Sequence, residues 1–202
     1  VQECPESLKE IDKNGFLPLL IACSIGAPPD VVRYLVQEYS EALQVTQKYA
    51  FPPLIHALSS RVPLEVVRCL VQGCPESLRV TGHTGYLPLH LACSSRVPLE
   101  IVRYLVQEYP ESLQVTNKLG DFPLHCACEC DAPLEVIRYL VQEYPESLQV
   151  TDNNGKKPID MAKSPWIAHE PRLEVVAWLE SAVADGVAFD DMAVPLLQRQ
   201  NY

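Results

Sequence analysis

The densest set of potential metal ligands in the sequence is His125-Cys126-Ala127-Cys128-Glu129-Cys130. Structural zinc needs four nitrogen or sulfur donors in a tetrahedral array, usually supplied by paired cysteines two to four residues apart. On a helix Cys126 and Cys130 share a face, whereas Cys128 points away from both. The donors do not converge, so neither a metal nor another cofactor is expected. Catalysis has no firmer footing. The sequence holds no glycine-rich phosphate loop, no nucleophile elbow and no HExxH-type pair. Cys4, Cys69 and Cys74 have no base at a telling spacing. The residues able to do chemistry therefore point away from an enzyme.

The elements that position them explain why they recur. A Val-Gln-Glu-x-Pro-Glu-Ser-Leu phrase begins at Val1, Val71, Val106 and Val141, with a degenerate copy at Val36, a period of 35 residues. In register with it run Leu17-Pro-Leu-Leu, Leu87-Pro-Leu-His and Phe122-Pro-Leu-His, and a weak copy at Pro52. A fixed period without insertions marks a solenoid in which each unit stacks on its neighbours. Cys23, Cys93 and Cys128 share one phase, and Cys4 and Cys74 another, so most cysteines read as reduced packing residues. His90 and His125 also share a phase and read as framework.

Within one unit, Thr81-Gly82-His83-Thr84-Gly85 is a turn, with Gly85 suited to positive φ. Gly15, Gly120 and Gly155 match it, but Ala50 stands there in the second copy. Pro88 opens a short helix to about Ser94. Pro98 opens a longer one to about Tyr109, with Leu99, Val102, Leu105 and Val106 on one face. Asp30/Arg33, Glu65/Arg68, Glu100/Arg103 and Glu135/Arg138 have the spacing of helix charge pairs. A groove for an acidic partner is the other reading of that arginine row. Pro110 ends the long helix.

Asp12-Lys13-Asn14-Gly15, Leu87-Pro88-Leu89-His90-Leu91-Ala92 and Leu134-Glu135-Val136-Ile137 resemble the ankyrin repeat over residues 11–183. The unit is longer than the family's usual one, and Leu17, Pro52, Leu87, Phe122 and Lys157 replace the consensus threonine. The resemblance implies an all-α helix-turn-helix solenoid with protruding turn or hairpin tips. The expected organisation is the end of a truncated upstream repeat over 1–10, then repeats at about 11–45, 46–80, 81–115 and 116–150. A C-terminal capping repeat at 152–183 and a non-repeat tail at 184–202 follow. The second repeat is the weak one, with Ala50, Pro52-Pro53 and Gly73.

A net charge of −10 opposes an electrostatic grip on nucleic acid or an anionic membrane. No apolar run is long enough to cross a bilayer. The cysteine usage favours an intracellular, cytoplasmic setting; an organelle is left open, because the chain opens on Val1 in mid-phrase. The family resemblance implies a protein partner bound by the concave face and the turn tips. The matching positions are Lys13, Lys48, Tyr49, His83, Lys118, Leu119 and Asn154 at the tips, followed by Phe16, Phe51, Tyr86 and Asp121. For Phe16, Phe51 and Tyr86, covering the ends of the core is the competing role. The expected function is a non-catalytic binding module, scaffold or subunit of a larger assembly. The alternative is the regulatory or substrate-recruiting region of a larger enzyme, such as a ubiquitin-ligase adaptor or a kinase.

Overall fold

Prolines set the phase of every helix pair. The computed structural model describes residues 6–44, 51–82, 84–164 and 171–184. Its regular structure among these residues is entirely helical. The chain divides into two compact units, Val1–Gly82 and His83–Tyr202. The first holds α1 (Pro18–Ser24), α2 (Pro29–Glu38), α3 (Pro53–Ser59) and α4 (Leu64–Gly73). The second holds α5 (Pro88–Ser94), α6 (Leu99–Glu108), α7 (Pro123–Glu129), α8 (Leu134–Glu143), α9 (Pro158–Ala162) and α10 (Pro171–Ala184). Each of the short helices α1, α3, α5, α7 and α9 starts on a proline, where a missing N–H costs nothing.

The step from short to long helix is a left-handed cap. Gly26, Arg61, Arg96 and Asp131 all have φ between 53° and 67°. The residue after each returns its N–H to the carbonyl five positions back, Ala27 to Ala22 and Ala132 to Ala127 both at 2.9 Å. This bond satisfies a carbonyl the helix end would otherwise orphan. After α2, α4, α6 and α8 the chain drops through a short 3-10 return: Ser40–Leu43, Pro75–Arg79, Pro110–Gln114 or Pro145–Leu148.

In the first unit α1 packs on α3 and α2 on α4; in the second α5, α7 and α9 form one row and α8 packs against α6 and α10. The core is a strip of repeat positions, with Leu19, Leu54, Leu89 and Leu124 all nearly inaccessible. Full burial of such a leucine contributes about 1.5–3 kcal/mol. The buried face of the long helices is wider than the stripe seen in the sequence, because Val136 and Tyr139 are buried as well.

The arginine row departs from the charge-pair expectation. Arg33 does bridge Asp30 at 3.0 Å. Arg103 instead lies over the Tyr139 ring at 5.2 Å and Arg138 over Trp178 at 5.6 Å. Each links its long helix to the next one. A guanidinium gains more from an aromatic face than from a solvated carboxylate one turn away. In the last repeat Asp160 stands where His90 and His125 stand, and its Oδ2 accepts the Lys157 N–H at 2.9 Å. Lys163 ties α9 to Glu180 of α10 at 2.8 Å. Cys4, Ala50 and residues 185–202 lie outside the described residues.

Candidate protein-binding face

Three turn tips are each closed by one side chain, Asp12, Asn117 or Asp152, whereas Gly82 stands at this phase in the third repeat. Asp152 Oδ1 accepts the N–H groups of Asn154 (2.9 Å) and Lys156 (2.8 Å), and its own N–H donates to the Lys156 carbonyl at 2.9 Å. Asp12 does the same for Asn14 and Phe16, both at 2.8 Å. Asn117 Oδ1 takes the role for Leu119 (2.8 Å) and Asp121 (2.9 Å). A short acceptor two residues before a turn competes well for local N–H groups, which is why Asp and Asn occupy this position.

In the second unit successive tips also bond to one another. Lys118 N–H donates to the Thr84 carbonyl at 3.0 Å, and Asn153 N–H to the Leu119 carbonyl at 3.0 Å. Asn153 Nδ2 reaches the Lys118 carbonyl at 3.1 Å. This contact needs glycine: a Cβ on Gly120, at φ 82°, would sit 2.6 Å from the Asn153 backbone nitrogen. Much of the backbone at the Lys118–Leu119 tip is thus committed to the scaffold.

The framework histidines lock tips to helices. His90 Nδ1 accepts the Leu87 N–H at 3.3 Å, so Nε2 carries the proton and donates to the Asp121 carbonyl at 3.1 Å. His125 repeats this with Phe122 (3.2 Å) and Lys156 (3.1 Å). Burial holds the His90 imidazole down at about 4 and lowers that of His125. Both are neutral links at physiological pH. Leu20 and Ile55 occupy this phase in the first unit.

Side-chain accessibility then sorts the expected contact residues. Lys13, Lys118, Leu119 and Asn154 are exposed, Leu119 by 57%. Phe16, Phe51 and Tyr86 are half-buried. Lys48, Tyr49 and His83 lie outside the described residues. Asp121 is 3% exposed. Its Oδ2 accepts from Asn117 Nδ2 at 2.9 Å, but its Oδ1 is buried with no hydrogen-bond partner. Tyr86 stands 5.7 Å from the His90 ring, and burial raises its phenol pKa.

The sequence reading passed over His56. Its ring meets Phe16 edge-on at 6.0 Å and Phe51 at 6.5 Å, and its Nδ1 lies 3.2 Å from Ser24 Oγ. His56 Nε2 joins Asp121 Oδ1 as a buried polar atom without a partner. Such atoms cost about 1–3 kcal/mol each and are rare. The signal was its phase: His56 falls one position beyond the framework histidine, on the Ile21 and Leu91 face of the short helix.

The cysteine cluster does not assemble into a site. Cys126 and Cys128 are buried, and burial pushes the Cys126 thiol up to about 12. The Cys130 carbonyl accepts from Arg96 Nε at 2.6 Å. Among the described residues no group of three His, Cys, Asp or Glu is placed to hold a metal ion, and the cysteines form no disulfide. No helix among them is long and apolar enough to cross a membrane.

A family model for ankyrin repeats matches three overlapping windows, residues 19–117, 54–154 and 89–180. The chain belongs to the ankyrin-repeat family. Ankyrin repeats are modules of protein–protein interaction. No curated protein matches the chain.

Proposed function

We propose that this ankyrin-repeat chain is a protein-binding module or assembly subunit that engages a protein partner through its turn tips and short-helix face. The observation that carries this reading is the tip-to-tip backbone bonding at Lys118 and Asn153. It holds exposed Lys118, Leu119 and Asn154 on a rigid frame, so binding them costs little ordering entropy. In the first unit Lys13 and the Phe16–Phe51–His56 cluster present the corresponding groups, and rings of this kind are common anchors of interfaces.

The test is capture from the native source with the 202-residue chain as bait, followed by crosslinking and mass spectrometry. Replacing Tyr49, Phe51, Tyr86 and Leu119 together by Ala should abolish capture of the crosslinked partner and leave the helical circular dichroism intact. Undiminished capture by a folded variant refutes the reading.

A further inference from the structure

The return of the second repeat lacks the residue that closes the equivalent space two periods later. In the second unit Leu113, Pro123, Leu124, Leu140, Tyr144 and Ser147 meet with no room left for a water molecule. Tyr144 fills this corner, its ring 6.3 Å from that of Phe122. In the first unit the same phases carry Cys74 for Tyr144 and Pro52 for Phe122. Both rings are gone. A cavity of about 480 Å³ stands in their place, walled by Leu43, Pro52, Cys74, Ser77 and Val80. Its volume lies in the range of sites that take small ligands. Gly73 replaces the glutamate of the other repeats, and a Cβ there would sit 2.6 Å from Leu43 Cδ1. The missing side chain lets Leu43 take that place beside α4.

We infer that this cavity is a docking site for a tyrosine side chain presented by an extended segment of a protein partner. The occupant is set by what the chain itself puts there elsewhere: the ring of Tyr144, in the corner it shares with Pro123 at the start of α7. Ser77 Oγ is already committed to the Cys74 carbonyl at 2.6 Å. The Gln44 amide and the Glu76 carboxylate, which also line the cavity, are the polar ends offered to a phenol hydroxyl. The cavity is larger than the corner one ring fills, leaving space for the backbone that carries it. The inference is independent of the tip face, since no lining residue is a tip residue, and each can fail alone.

The experiment is methyl NMR of the full chain titrated with p-cresol and, separately, with N-acetyl-Ala-Tyr-Ala-amide. Saturable shifts are expected at the Leu43 and Val80 methyls and not at Leu113, with the peptide binding at least as tightly as p-cresol. Cys74→Tyr, which restores the repeat residue, should weaken both by at least about tenfold, and Cys74→Ala should bind like wild type. Val80→Trp, plugging the opposite wall, gives a second blocked variant if Cys74→Tyr does not fold. Absence of saturable shifts at Leu43 and Val80 in the wild type overturns the inference, as does undiminished binding by a folded blocked variant. Binding of p-cresol without the peptide overturns the partner-segment assignment and leaves a site for small phenols.

Discussion

The His90 link makes the second unit's stability depend on pH in a direction the structure fixes. The folded imidazole sits at about 4 against an ordinary 6.5, because burial opposes its charged form. Between those values the unfolded chain binds the extra proton and the folded chain does not, so stability rises with pH there. The contribution is complete above 6.5 and disappears as pH falls towards 4. At about 1.36 kcal/mol per pKa unit the whole effect is about 3 kcal/mol, of which about 2.5 kcal/mol is lost by pH 4.5. Protonation removes the Nδ1 acceptor from the Leu87 N–H, which lies in the core. His90→Leu copies the residue at this phase in the first unit, Leu20. It strands the Leu87 N–H, costing about 1–3 kcal/mol at pH 7.5, while the Asp121 carbonyl keeps the Asn117 N–H at 3.0 Å. Urea denaturation of both proteins at pH 7.5 and 4.5 separates the two effects. The wild type should lose about 2.5 kcal/mol more than the variant over this interval. Equal losses would show that His90 is not the buried neutral link described here.

The glycine tips offer a matched pair. Gly155→Ala meets nothing within 4 Å and should cost only the left-handed backbone strain of about 1–2 kcal/mol, whereas Gly120→Ala must also push Asn153 away. Thermal melts showing equal costs would contradict the tip-to-tip packing. Arg138→Ala should loosen α10 by about 0.5–1 kcal/mol, read as faster amide exchange over residues 173–180, with Arg138→Lys recovering part of the loss. In the native protein a water-soluble thiol reagent should modify half-buried Cys69, Cys74 and Cys130 well before buried Cys23, Cys93, Cys126 and Cys128; peptide mapping that finds Cys23 among the fast sites would contradict the packing of α1 on α3.

The period itself carried the fold class, because a unit that cannot bury its apolar face alone forces a stack, and the stack dictates which phases are apolar. Proline and glycine phases placed helix starts and turns for the same local, steric reason. The candidate face was legible only as a set of variable positions. Lys118, Leu119 and Asp121 look alike in this respect, yet the tip hydrogen bonds leave the first two outside and bury the third. His56 was hidden because one residue of phase separates a core-linking histidine from one on the short-helix face.

Sequence by itself determined the repeat, its helices, and the structural duty of most cysteines and of the framework histidines. Tertiary structure alone decided where equivalent residues end up. Tyr34 and Tyr139 share a phase, but Tyr34 is 50% exposed while Tyr139 is 7% exposed beneath Arg103. Cys74 and Tyr144 share another, and the smaller residue leaves a cavity that the larger one closes. Periodicity encodes the contacts a residue can make; neighbouring side-chain volume and the presence of a stacking partner determine which are made.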